Sequence, residues 1–238
     1  MLKPDGTAPG DPAAAGNTGN AGSSLLRLVA IMDRLRRECP WDAKQTHESL
    51  APHLLEETYE ALAAIEENDR AALRDELGDV LLQVLFHARV AAERTDGTGF
   101  AIDDVADGIA DKLVRRHPHV FGDVSVSGPD EVKRNWDQIK AAERAAARAA
   151  AGEEPGSVLD GVPMGQPALA LAAQLQRRAF NAGAPADLAD LAGVVSGVGA
   201  DLFALVARAR AAGVDPELEL RQAARVFRDR VRSWERAG

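Results

Sequence analysis

Two short acidic stretches, EETYE at 56–60 and DELGD at 75–79, lie inside otherwise apolar segments of the sequence. Each stretch carries two carboxylates three positions apart, and a helix that turns about 100° per residue places such a pair on one stripe. The connection between the helices is short, and 68–69 offers an N-cap for the second, so we predict that the helices are antiparallel with facing stripes. The four carboxylates on these stripes belong to Glu57, Glu60, Glu76 and Asp79.

Four facing carboxylates predict a bound cation. Two like charges about 5 Å apart repel by roughly 3 kcal/mol even at an effective dielectric constant near 20, and a divalent ion between them removes that repulsion. All of these ligands are oxygens, which favours a hard ion, so the predicted occupant is Mg²⁺, with Mn²⁺ as a substitute. The alternative is an acidic stripe that only faces solvent.

The residues around the second stretch favour the metal site over a solvated stripe. Its helix is apolar around much of its circumference, which predicts that it is mostly buried. Gln83 and His87 continue the stripe of Glu76 and Asp79, where Lys or Arg would otherwise neutralise the acids. The apolar residues of this helix include Leu73, Leu77, Val80, Leu81, Val84 and Leu85.

Composition limits the classes of function. The chain has 238 residues, 46% of them hydrophobic, which is enough for a globular core. Its net charge of −9 argues against general affinity for nucleic acid or for an anionic membrane, although local basic clusters can still bind phosphates. Cys39 is the single cysteine, so no internal disulfide is expected, and a reducing cytoplasm fits.

The order of segments predicts an all-α chain. Residues 1–24 are rich in Gly, Ala, Pro and Asn and lack the apolar core of a signal peptide, so we predict a disordered tail there. No run is long enough to span a membrane, and only a weak 124–126 alternates like a strand. The Pro-containing stretch 152–167 is interpreted as a linker between a catalytic domain, 25–151, and a second half, 168–238. The predicted helices cover 25–38, 49–67, 70–94, 102–116, 129–151, 168–180, 188–211 and 216–235.

A group of cations ends the helix predicted at 102–116. Lys112 and Arg116 are four positions apart and Arg115 lies beside them, so the three side chains can point in one direction. Cations at this end of a helix also complement the helix dipole, so phosphate binding and a purely structural role both remain open.

Several motifs together resemble the MazG family of nucleoside triphosphate pyrophosphohydrolases. The resemblance covers about 25–145 and includes the two acidic stretches in the same order. It implies an all-α helical bundle in which antiparallel acidic helices hold Mg²⁺, usually in a homodimer. It also implies hydrolysis of nucleoside triphosphates to a monophosphate and pyrophosphate. The further motifs are CPWD at 39–42, KLVRRHPHVF at 112–121 and WDQIK at 136–140.

The resemblance also assigns roles to residues of this chain. Glu56 is next to the implied ligands but further around the helix, and from this position we predict that it orients or deprotonates the attacking water. Glu57 would take part in catalysis as well as in metal binding. Lys44, in the loop before the first acidic helix, reaches either a phosphate or solvent. The metal ligands implied by the family are Glu57, Glu60, Glu76 and Asp79. The implied nucleotide contacts are His53, Asp75, Lys112, Arg115, Arg116 and Trp136.

The second half looks like a degenerate copy of the first. Asp201 corresponds to Asp79, whereas Val198 stands at the position of Glu76 and Asp229 at that of Arg116. One carboxylate cannot assemble the same metal site, so the second half is expected to support dimerisation or to cover the first site.

Other functions remain as alternatives. A non-catalytic helical interaction module would use its acidic stripe to bind a basic partner and would need no metal. A related all-α pyrophosphohydrolase acting on another nucleotide, such as a phosphoribosyl nucleotide, would share the metal motif. A di-iron carboxylate bundle is disfavoured because the chain has no Glu-x-x-His or Asp-x-x-His motif.

Overall fold

The computed structural model describes residues 18–152, 154, 156–191, 194–195 and 197–238, and the regular elements within this part are all helical. The predicted all-α fold is confirmed. None of the described helices is both long and apolar enough to cross a membrane. The helices are α1 (Thr18–Glu38), α2 (His47–Glu67), α3 (Arg70–Ala91), α4 (Ile102–Arg116), α5 (Pro118–Phe121), α6 (Pro129–Ala150), α7 (Ala168–Asn181), α8 (Val198–Ala211) and α9 (Pro216–Ala237). Short 3-10 helices cover Asp42–Lys44 and Ala186–Ala189.

Two predicted helix starts lie far from the observed ones. Helix α1 begins at Thr18, so 18–24 is helical and not part of a disordered tail, while the rest of the predicted tail, 1–17, lies outside the described residues. The helix predicted at 188–211 begins only at Val198. Gly197 precedes it with φ 80°, a left-handed conformation that an incoming helix cannot continue through.

The turn between α2 and α3 is short and capped from both sides. Asn68 ends α2 in the left-handed conformation with φ 55°. Asp69 then caps α3, because its side chain accepts hydrogen bonds from the backbone N–H groups of Ala71 and Ala72, as the sequence predicted. A two-residue connection of this kind returns the chain antiparallel to α2. It therefore fixes which residues of the two helices face each other.

Helix α2 begins two residues earlier than predicted because Thr46 caps it. The Thr46 hydroxyl accepts from the backbone N–H of Ser49, and the Ser49 side chain accepts from the backbone N–H of Thr46. This reciprocal capping box adds His47 to the first turn of α2. Ser49, the predicted cap, is therefore the partner of the cap.

The core of the first region packs α1 and α2 against α3. Met32, Leu50, Leu85 and Phe86 are almost fully buried in one cluster. Each such side chain contributes about 1.5–3 kcal/mol through removal of apolar surface from water. Polar contacts at the edge of this core join α1 to α3 and to the residues just after α3. They comprise Arg36 with Glu93 at 2.8 Å and Arg89 with Asp33 at 3.0 Å.

The chain divides into two compact units at Lys112 and Leu113. This division differs from the linker predicted at 152–167, and the predicted halves, which concern sequence relationship, stay a prediction. In the second unit, α7 packs against α8 and α9. Gln176 is buried there and donates a hydrogen bond to the carbonyl oxygen of Phe203 at 2.8 Å, so α7 is fixed to α8.

Candidate metal centre

The α2–α3 hairpin brings three predicted metal ligands together. One carboxylate oxygen from each of Glu57, Glu76 and Asp79 lies within 4.8 Å of the other two. Glu57 and Glu76 are half-buried and Asp79 is exposed. Within the described part of the chain, no Lys or Arg lies at ion-pair distance from any of the three. We refer to these three residues as the carboxylate cluster.

Burial and neighbouring negative charges raise the pKa values of two members of the carboxylate cluster. Burial raises the pKa of Glu57, and repulsion from Asp79 and Glu60 raises it further. Burial also raises the pKa of Glu76, again with repulsion from Glu60 and Asp79. Both shifts mean that the ionised cluster is unfavourable by itself and would be stabilised by a cation.

Glu60, the fourth predicted ligand, lies beside the carboxylate cluster and not within it. Its side chain is exposed, and it accepts a hydrogen bond from the protonated form of Glu57, which contributes to the raised pKa of Glu57. The structure thus gathers three of the four predicted ligands, with the fourth one helical turn along α2. An all-oxygen set of this kind is compatible with a hard divalent metal ion.

Glu56 and His53 occupy the exposed side of α2 next to the carboxylate cluster. His53 Nδ1 lies 3.8 Å from Glu56 Oε2, and most of the Glu56 side chain is exposed. The Trp41 ring meets the rings of His53 and Phe86 edge-on, with centres 6.0 Å and 6.3 Å away. Glu56 is therefore open to water, as the role predicted for it requires.

Asp75 and Lys44 are placed less specifically. Asp75 is exposed and accepts a hydrogen bond from its neighbour Arg74 at 3.2 Å. Lys44 lies at the end of the 3-10 helix Asp42–Lys44 and is exposed. Both stay predicted substrate contacts. Both side chains are exposed to solvent, which is equally consistent with the absence of a bound phosphate.

The basic end of α4 has a partner that the sequence did not reveal. Arg115 Nε donates to Glu143 Oε1 at 2.7 Å, and Arg116 Nη2 donates to Glu143 Oε2 at 2.6 Å. These two guanidinium groups lower the pKa of the Glu143 carboxyl to about 2. Lys112 is exposed on the same helix. An anion bound by Arg115 and Arg116 would have to replace Glu143.

Trp136 lies in a polar environment within the second unit. The Lys140 ammonium lies 4.1 Å from the centre of its ring, and the ring centre of His117 is 5.8 Å away. The indole N–H is buried and has no hydrogen-bond partner among the described residues. An unpartnered buried donor is costly, so this nitrogen is available to an acceptor on a ligand or a water.

A histidine pair that was not predicted joins the start of α2 to α3. His47 Nδ1 and His87 Nδ1 lie 2.8 Å apart, and the rings are parallel within 1° with centres 5.1 Å apart. The distance between the ring centres equals the N–N distance plus the distance from centre to nitrogen in each ring. The two rings therefore lie in one plane, and their Nδ1 atoms face each other. Burial, and then the charge of His47, lower the pKa of His87.

Comparison with known proteins identifies the family to which this chain belongs. The family model described as the MazG nucleotide pyrophosphohydrolase domain matches residues 45–121, which contain α2, α3, α4 and the carboxylate cluster. Together with the relatives below, this match shows that the chain belongs to the MazG family, and the predicted resemblance is confirmed.

Three relatives show how far the similarity extends. An uncharacterized 26.1 kDa protein in the blaB 3′ region of Streptomyces cacaoi is 49% identical, over 90% of this chain and 84% of that protein. The nucleoside triphosphate pyrophosphohydrolase of Escherichia coli K12 is 40% identical, over 90% of this chain and 88% of that protein. The nucleoside triphosphate pyrophosphohydrolase of Mycolicibacterium smegmatis is 43% identical over 97% of this chain. The chain spans 65% of this mycobacterial relative's length.

Proposed function

We propose that this protein hydrolyses nucleoside triphosphates to nucleoside monophosphates and pyrophosphate with Mg²⁺ bound by the carboxylate cluster. The observation that supports this proposal best is the gathering of Glu57, Glu76 and Asp79 within 4.8 Å with no cationic partner among the described residues. Mn²⁺ is the expected substitute, because it accepts the same oxygen ligands. Family membership supports the reaction type, and the carboxylate cluster supports the proposed position of the metal.

The proposed reaction breaks one phosphoanhydride bond. A water oxygen forms a bond to the α-phosphorus, the bond from the α-phosphorus to the bridging oxygen breaks, and pyrophosphate leaves with that oxygen. When bound, the divalent ion would act as a Lewis acid on the phosphate oxygens. Glu56 is exposed, so water can reach its carboxylate, and His53 lies close to it. It is the proposed group that orients the water and accepts its proton. Glu57 is the cluster member next to it in sequence.

The predicted substrate contacts belong to the same proposal. Arg115 and Arg116 both donate charge-assisted hydrogen bonds to one carboxylate, that of Glu143, and a phosphate group would meet the same donors. The unpartnered indole N–H of Trp136 is a further donor for the substrate. The remaining proposed contacts are His53, Lys44, Asp75 and Lys112, with Glu60 as an additional metal ligand.

Assembly and location are also part of the proposal. We propose a cytoplasmic homodimer in which the second half, 168–238, contributes assembly and no chemistry. Helix α9 has three apolar side chains at seven-residue spacing, Leu220, Phe227 and Trp234, which are 57%, 71% and 75% exposed. A stripe of large exposed apolar residues is typical of a surface covered by a partner, and a second copy fits a repeated stripe of this length.

Product analysis tests the reaction directly. The protein is incubated with a panel of nucleoside triphosphates and Mg²⁺, and the products are separated by anion-exchange chromatography. The proposal predicts equal amounts of monophosphate and pyrophosphate, and addition of EDTA is expected to stop their formation. Early release of nucleoside diphosphate and phosphate would contradict it. Turnover of other nucleotides only would favour a related pyrophosphohydrolase, and the absence of turnover with any metal would favour an interaction module.

A further inference from the structure

A group of cations in the second unit lies outside the residues assigned so far. Helix α6 carries Asp137, Lys140, Arg144 and Arg148 along one stripe, with spacings of three and four residues. Asp137 accepts a hydrogen bond from Asn181 of α7 at 2.6 Å, which attaches one end of the stripe to α7.

The other end of the stripe is attached to α7 through Asp160. Arg148 Nη2 donates to the Asp160 carboxylate at 2.6 Å, and Arg178 Nη1 donates to the Asp160 carbonyl oxygen at 2.7 Å. Because both ends of the stripe are fixed to this part of α7, its middle members face the basic end of that helix. We call Lys140, Arg144, Arg177 and Arg178 the basic cluster.

The electrostatics agree with this placement. Burial lowers the pKa of Lys140 while Asp137 opposes the shift, and Arg116, Arg177 and Arg144 lower it further by repulsion. Burial also lowers the pKa of Arg178, with repulsion from Arg144 and Arg177. The same two guanidinium groups therefore act on a residue of α6 and on a residue of α7. Arg144 and Arg177 are therefore close enough to both Lys140 and Arg178 to repel them.

The basic cluster has too few counter-charges. The nearby acids are already engaged, since Glu143 binds Arg115 and Arg116, Asp160 binds Arg148, and Asp137 accepts from Asn181. Within the described part of the chain, no carboxylate lies at ion-pair distance from Lys140, Arg144 or Arg177.

The protein as a whole has a net charge of −9, so this local excess of positive charge is not a consequence of composition. Lys140 is half-buried, and Arg178 donates only to backbone carbonyls in the described part. Partly desolvated cations that repel each other are stabilised by a bound anion in the same way that the carboxylate cluster is stabilised by a metal.

We propose that the basic cluster binds an oligophosphate, through the diphosphate group that inorganic pyrophosphate and a nucleotide polyphosphate share. Guanidinium groups present planar forks of donors that match phosphate oxygens, and the Lys140 ammonium adds a point charge. Several donors on two helices suit an anion with more than one phosphate group. The four residues of this site differ from the proposed substrate contacts, which are Lys112, Arg115, Arg116 and Trp136 among others, and Lys140 adjoins the last of these through its contact with the Trp136 ring. The proposal does not require that the protein hydrolyses nucleotides.

Calorimetric titration with inorganic pyrophosphate in the presence of EDTA tests the site without any metal or turnover. The wild-type protein is compared with the double variant Arg144→Gln, Arg177→Gln and with a control, Arg208→Gln, Arg230→Gln, which removes the same charge from exposed arginines of α8 and α9. Each lost charge-assisted contact is expected to weaken binding about tenfold, so the double variant should bind about 100-fold more weakly. The control should remain within about twofold of the wild type, because diffuse charge contributes little at physiological ionic strength.

Thermal unfolding provides a second measurement that does not depend on a detectable heat. Pyrophosphate should raise the melting temperature of the wild type and of the control, but not that of the double variant. Without pyrophosphate, the double variant should melt no lower than the wild type, because it loses mutual repulsion and no hydrogen bond. A variant that melts much lower would show that the arginines are structural and would overturn the proposal.

The remaining outcomes separate this site from others. A non-hydrolysable nucleoside triphosphate that binds more tightly than pyrophosphate would assign the site to nucleotides, and equal affinity would assign it to the diphosphate group alone. Absence of binding by the wild type at millimolar pyrophosphate would overturn the proposal. Equal weakening in the control would also overturn it, as would loss of binding in Lys112→Gln with binding retained in the double variant.

Discussion

The acidic hairpin of the first half and the region around α8, its predicted counterpart in the second half, place their acidic residues differently. In the hairpin, a two-residue turn forces Glu57 of α2 to face Glu76 and Asp79 of α3. In the second half, Asp201 lies exposed in the first turn of α8, where it complements the helix N-terminus. Val198, which the sequence comparison of the halves predicts to stand at the position of Glu76, is 71% exposed.

This difference shows that an acidic residue on a helix does not by itself make a metal site. A carboxylate cluster needs a close antiparallel pair and three acids at matched levels, and each requirement can fail separately. The described part of the second half contains no group of three or more His, Cys, Asp or Glu side chains that meets the same distance criterion. Membership of a fold is therefore weaker evidence for chemistry than the placement of particular residues.

The largest expected difference between the two halves is the effect of a substitution on turnover. Asp79→Asn keeps the shape of the side chain but removes a charge from the carboxylate cluster, so we expect pyrophosphate release to fall by about 100-fold or more. Asp201→Asn is the matched change in the second half and should leave turnover nearly unchanged. Initial rates of pyrophosphate release measure both, and a comparable loss in Asp201→Asn would mean that the second half takes part in the chemistry.

Assembly should depend on the second half instead. Placing charges in the exposed stripe of α9 with Phe227→Glu and Trp234→Glu should reduce the molar mass in solution from that of a dimer to that of a monomer. Arg232→Glu puts the same charge on another face of α9 and serves as the control. Light scattering coupled to size-exclusion chromatography measures the mass, and a dimer that survives the double change would show that another surface forms the interface.

Much of the first half was predictable because its determinants are local. The predicted helix at 102–116 has the observed bounds of α4, and Asp69 was recognised as a cap because a capping side chain acts on the next three residues. Three of the four predicted ligands converge, because a short turn and helical spacing together set the facing positions.

The unpredicted features are contacts between residues far apart in sequence. Glu143 lies 28 positions from Arg115, and His47 lies 40 positions from His87. No spacing rule links such residues, since their meeting depends on how whole helices pack. Gly197 was a local signal of the late start of α8, but its left-handed φ angle can be recognised only in the structure.

The carboxylate cluster should also show its repulsion in the metal-free protein. The pKa of Glu76 is raised in the folded state, so its contribution to stability is present below the unfolded pKa, near 4.5, and is lost as the pH rises through the folded value. In EDTA, Glu76→Gln should therefore melt higher than the wild type at pH 7, with a smaller difference at pH 4.5. Glu67→Gln, which changes an exposed acid at the end of α2, should show no such trend.

Metal binding should reverse this difference. Mg²⁺ at 100 times its dissociation constant stabilises a folded state that binds it by about 2.7 kcal/mol, so it should raise the melting temperature of the wild type much more than that of Glu76→Gln. Equal shifts in both proteins would place the metal elsewhere.

The smallest expected effect concerns the histidine pair at the start of α2. Only one proton can lie between His47 Nδ1 and His87 Nδ1, so protonation of both rings would set two N–H groups against each other at 2.8 Å. The pKa of His87 is lowered in the folded state, first by burial and then by His47. A lowered folded pKa means that this stability is complete above the unfolded value, near 6.5, and is lost as the pH falls below it. Between pH 7.5 and 5.5 the wild type should therefore lose about 1 kcal/mol of unfolding free energy, the net value of one hydrogen bond. Denaturant unfolding at each pH measures this loss, and His87→Asn should lack it while His119→Asn retains it. The same pH dependence in His87→Asn and in the wild type would show that other groups cause the loss and that the pair does not attach α2 to α3 in a pH-dependent way.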